Sequence, residues 1–446
     1  MIQSLPELRR QFVAEQKSFH TLPADDPRNT TNYSLPQSKK QAKELLRSLR
    51  QGELWQRTQA HPNPQALNPQ NIKLADAQAI LAGELGFKSG SKFKHHVEST
   101  DIATKAINEG VASALDAQMH TLHIRCGTDV MYKLAVAGFE GDYLSFADPY
   151  IQGPVPAASD LDSFIEIRSD FIAGNEWRMR EQARKELTSD YQSLERAREY
   201  ERVAFWFEHD AYDVLAFIKL LHFFSDPAKQ PGKIQFICID HYPGVKRFHG
   251  IGQLPAQSMR LLWQQFKPVE ARHLQFGKLC WEAYTASTPE DFSQLANLDD
   301  APFPEIMPAI KRHIKELPWL EDGLSLSERL TLTILDVQGP QDGAKLFYHW
   351  YTTQYEPLVF MGDSSYWLVL DQLAQAHKPA IELIKSSPKP IDWRVSLTDF
   401  GRELLQGHTS WQAHNNYDRW FGGVHLNSDS MVWFWDDDLN QVVSES

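Results

Sequence analysis

The chain has 446 residues, with 45 Lys+Arg against 58 Asp+Glu and a formal net charge of -13 at pH 7. At about 150 residues per domain this is two or three units with enough sequence to bury real cores, and 42% hydrophobic, 23% charged and 11% aromatic residues exclude disordered, collagen-like and coiled-coil chains. The acidic balance argues against duplex binding through counterion release, and no run approaches the ~20 apolar residues of a membrane span.

Residues 1–118 read as a helical module. Lys39 to Leu49 places Ala42, Leu45, Leu46 and Leu49 on one face, and Leu74 to Leu85 repeats the pattern before Gly86 stops it. His61 to Pro69, with three prolines, connects them, and Leu22 to Pro36 has the turn composition of an arm. From 119 to 254 two patterns alternate: strands at Thr121 to Cys126, Tyr143 to Ala147, Arg202 to Phe207 and Lys233 to Ile239, helices at Val130 to Ala137, Leu161 to Glu201 and Tyr212 to Phe224. Near-continuous apolar strands alternating with helices predict an α/β domain with a Rossmann-like, mostly parallel sheet covered on both faces. Residues 255–322 read as a helical connector. Residues 323–446 read as a winged-helix-like domain, with helices at Ser327 to Val337, Asp342 to Gln354 and Ser364 to Ala376, a strand at Trp393 to Leu397 and a short helix at Thr398 to Leu405. A terminal β-hairpin is expected from Trp420 to Leu426 and Met431 to Trp435, turning at Asn427 to Ser430.

In parallel α/β sheets ligands bind outside the carboxyl ends of the strands, and all four predicted strands end in polar residues. These are Cys126-Gly127-Thr128-Asp129, Asp148, Glu208-His209-Asp210 with Asp213 one turn on, and Asp240-His241. Such a rim suits a divalent cation or general acid/base work, while Asp129, Asp210 and Asp240 taken singly are equally explained as caps and turn residues. In an enzyme reading His209 is the general acid or base, Asp210 and Asp129 orient it or hold a divalent metal ion, and Gly127 with Thr128 meets an anion at a helix start. Asp148, Glu208, Asp240 and His241 complete the rim. The loop His241 to Gly252 adds Lys246, Arg247 and His249, positive charge that suits an anionic substrate. Cys126 reads as a nucleophile or, more commonly for a free cysteine, as a core thiol. With no nicotinamide or flavin fingerprint and no P-loop lysine, hydrolysis or group transfer is expected rather than redox. Ser364 to Ala376, in the position of a recognition helix, has no Lys or Arg and includes Asp371, which favours protein contact or packing over nucleic acid. Three cysteines (Cys126, Cys238, Cys280) without ligand spacing, and a polar start with no secretory signal, point to the cytoplasm.

Several of these segments carry a resemblance. Leu122 to Pro156 (LHIRCGTDVMYKLAVAGFEGDYLSFADPYIQGPVP), Val203 to Phe224 (VAFWFEHDAYDVLAFIKLLHFF), Cys238 to Leu254 and Leu397 to Leu426 resemble, in patches over roughly residues 120–430, the bacterial "domain of unknown function 1835" family. The resemblance implies the domain layout and marks Gly127, Asp129, Asp148, Gly153, Pro154, Glu208, His209 and Asp210 as motif positions. It implies no reaction, and Cys126 falls where relatives often carry other residues. Two functions from different classes are therefore expected. One is an enzyme acting on a phosphate-bearing or otherwise anionic small molecule at the rim, with a divalent cation. The other is a non-catalytic ligand-sensing adaptor whose C-terminal region contacts a protein partner.

Overall fold

The structure, a computed structural model, describes residues 1–14, 35–245, 247–352, 356, 358, 360–429 and 432–445. Most of the arm expected at Leu22 to Pro36 lies outside the described residues, as do Lys246, Gln354, Ser430 and Met431.

A mixed six-stranded sheet organises the chain. Its strands are β1 (Gln3–Ser4), β2 (Thr121–Arg125), β3 (Asp142–Ser145), β4 (Arg202–Glu208), β5 (Lys233–Ile239) and β6 (Lys267–Pro268), in the order β1-β3-β2-β4-β5-β6. The inner four are parallel and each edge strand is antiparallel. The inner strands match the four expected ones, but the edges come from residues outside 119–254. Every position of β2 and β4 is buried. Because successive side chains point to opposite faces, Leu122, Ile124, Val203, Phe205 and Phe207 pack with the helix Ala211–Phe224 on one side. On the other side Tyr143, Trp206 and Ile237 pack with residues of the helices Leu5–Ala14, Met131–Ala137 and Ala256–Trp263. Full burial of each such side chain contributes roughly 2 kcal/mol. The chain runs from β2 to β3 on one side and returns past β2 to β4 on the other, so the strand order reverses between β2 and β4.

Local chemistry corrects two expectations. The charged stretch read as one helix over Leu161 to Glu201 is two, Leu161–Gly174 and Arg180–Glu195, interrupted where Glu176 takes φ 58°. The tail forms two hairpins rather than one: Asp418–Phe421 pairs with Val424–Asn427, and Val432–Asp436 with Gln441–Glu445. The first turns at Gly422-Gly423, where Gly422 has φ 57° and a Cβ would lie 2.2 Å from the Tyr284 carbonyl oxygen.

The C-terminal region runs as helix Leu326–Gln338, β7 (Gln341–Asp342), helices Gly343–Thr352 and Asp363–Gln375, β8 (Ile381–Ile384) and β9 (Arg394–Leu397), with sheet order β7-β9-β8. One hydrophobic core runs from Leu122 through Tyr284 to Trp435 and joins this region to the sheet. Among the described residues no helix is long and apolar enough to cross a membrane.

His313 sits inside that shared core, stacked on Phe421 and Phe360. The Tyr284 hydroxyl donates to the Tyr150 carbonyl at 2.7 Å, so it accepts from His313 Nε2 at 3.0 Å, and His313 Nδ1 is left as a buried lone pair. Burial, helped by the Arg312 charge, pushes the imidazole down to about 3 from an ordinary 6.5. Between those values the unfolded chain binds the extra proton, so this stability is present above pH 6.5 and is lost as pH falls toward 3, at up to about 1.4 kcal/mol per pH unit. Urea denaturation at stepped pH is expected to show a shallower acid decline for His313→Phe than for wild type. Equal slopes would show that His313 is not the group responsible.

Candidate functional site

β2 ends in an arginine whose residue is only 4% exposed. A buried guanidinium is tolerated when it is paired and its donors are filled, and the surrounding strand ends do both. Arg125 Nε and Nη2 donate to the two Asp129 oxygens at 3.0 Å each, Nη2 also donates to Glu208 Oε1, and Nη1 donates to Asp213 Oδ2 and, at 3.2 Å, to the Trp206 carbonyl. Asp129 comes from the turn after β2. Glu208 is the last residue of β4, on the same face as Arg125 by strand alternation. Asp213 comes from the first turn of the helix Ala211–Phe224, whose N-cap, Asp210, accepts the Asp213 amide at 2.9 Å.

Arg125 thus pairs with three carboxylates, Asp210 lies beside them, and the half-buried Lys133, whose Nζ donates to the Gly252 carbonyl, feels the charges of Asp129 and Glu208. Oxygens of the buried Glu208, Asp210 and Asp213 all lie within 4.8 Å of one another, the spacing of a candidate metal site. Burial, with mutual repulsion, pushes the Glu208 and Asp210 carboxyls well above the usual range and Asp213 upward, against the pull of Arg125. Asp210 makes no ion pair among the described residues. Glu208 also draws the loop after β5 onto the cluster: it accepts the Ile251 amide at 2.5 Å, and a Cβ on Gly250 would lie 1.9 Å from its Oε2.

The carboxylates line a cleft of about 1390 Å³ whose other walls include Tyr351 and residues 361–365 of the C-terminal region. Gly127 and Thr128 line it too; the Gly127 carbonyl accepts the Tyr143 hydroxyl at 2.7 Å, and the helix behind them has only 7 residues. Asp148 reaches the cleft but is held by the fully buried Arg168, whose Nη2 donates to it at 2.6 Å while other donors take the Pro149, Gln152 and Pro154 carbonyls.

Other residues expected at the rim lie elsewhere. His209 does not line the cleft: its Nδ1 meets the Ile239 carbonyl at 3.1 Å and its ring stacks on Phe248, because residues after a strand end are steered by whichever apolar partner the next loop offers. The acid/base role expected of it therefore has no geometric basis at this site. Asp240 and His241 are exposed and pair with each other at 2.5 Å, outside the cleft. Arg247 spans two regions, donating to the Tyr351 and Thr352 carbonyls at 2.7 and 3.0 Å. His249 does line the cleft, its ring stacked on Tyr351 with centroids 4.6 Å apart. Cys126 lines it as well, but burial pushes its thiol well up, which suits a core thiol and not a nucleophile.

Sequence reasoning passed over Arg125 and Arg168, the two residues that hold the carboxylates in place. For Arg125 the available signal was an arginine at the end of a largely apolar strand, since a buried guanidinium needs partners for its donors. Comparison with family models, curated proteins and solved structures finds no match to the chain.

Removing one partner of a buried ionic network leaves uncompensated charge and costs about 3–5 kcal/mol. Arg125→Met is expected to lose that much stability in urea denaturation at pH 7, and adding Glu208→Gln should restore part of it. A loss below about 1 kcal/mol, the scale of a surface pair, would show that Arg125 does not hold the cluster together.

Proposed function

We propose that this chain is a divalent-cation-dependent enzyme that hydrolyses, or transfers a group from, a phosphate-bearing small molecule in the cleft. The observation that carries the reading is the convergence of the buried Glu208, Asp210 and Asp213 carboxyls, with Asp129 beside them, at the ends of the two strands between which the sheet order reverses. Hard cations take oxygen ligands of this kind, and Asp210, Glu208 and Asp213, with Asp129 beside them, are the residues that would hold one. A dication bound there would favour the ionised form of these carboxyls, let an acidic cleft accept an anion, and polarise a phosphoryl group. Arg125 is a fixed positive charge beneath the reacting group. His249 stands in the cleft wall, where burial and neighbouring Arg247 lower its hold on a proton, and we assign it the proton-transfer role expected of His209. Gly127 and Thr128 border the same space.

The order β3-β2-β4-β5 supports a Rossmann-like reading of the sheet. The succession helix, strand, helix, helix and two strands supports a winged-helix-like reading of the C-terminal region. A cytoplasmic setting accords with three free cysteines. A second reading, a ligand-sensing adaptor, is favoured by one observation: the C-terminal region supplies a wall of the cleft, so a bound ligand touches both regions.

Millimolar Mn²⁺ is expected to stabilise the full chain, by about 2.7 kcal/mol when its concentration is 100-fold above Kd, and Asp210→Asn should abolish that shift while remaining folded. Turnover of a phosphate-ester panel should require the cation and fall about 10²- to 10⁴-fold in His249→Gln with the Mn²⁺ shift intact. An equal response of wild type and Asp210→Asn to Mn²⁺ would remove the cation site. A lost shift in Asp210→Asn with no His249-dependent turnover would favour the adaptor.

A further inference from the structure

The cleft, at about 1390 Å³, exceeds the roughly 300–1,000 Å³ of ordinary small-molecule sites, and the carboxylates make only part of its wall. Another part comes from the hairpin of the helices Leu161–Gly174 and Arg180–Glu195 and carries Trp177, Arg178, Gln182 and Lys185. Local chemistry sets the tryptophan there. The first helix ends at Gly174, and Glu176 then takes φ 58°, left-handed backbone that a residue with a long side chain holds only where its surroundings impose it. That reversal returns the Trp177 amide to the Ile172 carbonyl at 3.3 Å and sets the indole at 88° to the Phe171 ring, with centroids 5.5 Å apart. Phe171 is backed in turn by the fully buried Arg168, whose guanidinium carbon lies 4.9 Å from the ring centre. The indole is braced yet partly exposed, and its N–H has no hydrogen-bond partner among the described residues.

The polar groups of this wall are not all spent on the protein. Glu186 is met by Gln182 Nε2 at 2.8 Å and by Arg178 Nε at 3.7 Å, and Asp190 by the Met1 amine at 3.0 Å. Lys185 makes no ion pair and no hydrogen bond among the described residues, and the Gln182 carbonyl oxygen meets no donor. Gln182 and Lys185 are three residues apart on one helix and so lie on the same face.

We infer that the phosphate-bearing molecule of the cleft is a nucleoside phosphate, its base stacked on Trp177 with Lys185 and Gln182 at its edge and its phosphate toward Asp210. A ring face supplies stacking affinity for any base, while an ammonium donor and an amide acceptor can read the carbonyls and amino groups of a base edge. The inference rests on the enzyme reading for the phosphate end, but the base end uses none of the carboxylates of the cation site.

The test is calorimetric titration of the full chain with adenosine, guanosine, cytidine and uridine monophosphates and with ribose 5-phosphate, each with and without millimolar Mn²⁺. At least one nucleotide is expected to bind wild type about tenfold or more tighter than ribose 5-phosphate does, and Trp177→Ala should weaken that nucleotide about 10- to 100-fold. Trp177→Phe should recover most of the loss, Lys185→Gln should weaken the nucleotide several-fold, and ribose 5-phosphate should bind all four proteins alike. The base subsite is overturned by ribose 5-phosphate binding as tightly as every nucleotide, or by no nucleotide binding in either condition. Equal nucleotide affinity in wild type and Trp177→Ala overturns it too; if that variant does not fold, equal affinity in wild type and Lys185→Gln does so. Base-selective binding that needs Trp177 and is the same with and without Mn²⁺ supports the subsite and sinks the cation reading alone.

Discussion

The guanidinium of Arg125 constrains the molecule where the sheet order reverses. A single side chain at the end of β2 holds the turn after its own strand through Asp129, the neighbouring strand through Glu208 and the Trp206 carbonyl, and the next helix through Asp213. Glu208 in turn holds the loop after β5 through the Ile251 amide. Three stretches of chain, residues 125–129, 206–213 and the loop at Ile251, are thereby tied together. Buried ionic networks are weak sources of net stability, because desolvation cancels most of the Coulomb gain. Here burial and mutual repulsion also hold the Glu208 and Asp210 carboxyls well above the ordinary range, a cost to their charged form that stability alone does not explain. Acids perturbed in this way are the kind expected where a site has been built at the expense of the fold.

A second arginine works in the opposite way. Arg168 is as deeply buried as Arg125, but it faces one carboxylate, Asp148, and spends its remaining donors on backbone carbonyls of the loop after β3. That balance is closed, and its product is a rigid cleft wall. The contrast decides which strand-end acid belongs to the fold and which to the site: Asp148 is paired with Arg168, whereas Asp210 caps its helix and makes no ion pair among the described residues.

How much of this was legible in the sequence follows from the range of the forces involved. The inner strands and the apolar helix Ala211–Phe224 were readable because their burial is written in local pattern, and Asp129, Glu208 and Asp210 were readable because strand ends in parallel sheets collect at one rim. Side-chain direction beyond the strand end was not. His209 follows Glu208 directly, yet it turns to Phe248 and the Ile239 carbonyl, a choice made by a loop some 40 residues later in the chain. Arg125 was passed over because a charged residue closing an apolar strand looks like a boundary until the partner strand supplies its carboxylates. The edge strands Gln3–Ser4 and Lys267–Pro268 are two residues each, too short to leave a periodic signal. The second tail hairpin was hidden for a different reason: both ribbons have strand composition, and the tight turn at Gly422 pairs the first ribbon within itself.

The net charge acquires a location from this geometry. Acidic groups are concentrated on the floor of a cleft that also reaches the C-terminal region, and the helix that would read bases in a winged-helix protein is turned inward. Its residues Tyr366, Trp367, Leu370 and Leu373 are buried, and its first turn faces the cleft. The apolar face of this helix is buried in its own protein, and it carries no arginine or lysine with which to hold phosphates of a duplex. The first turn of that helix and the strand-end carboxylates line one cleft. A ligand that touches both walls must satisfy both, which is a stronger filter than either wall could impose alone.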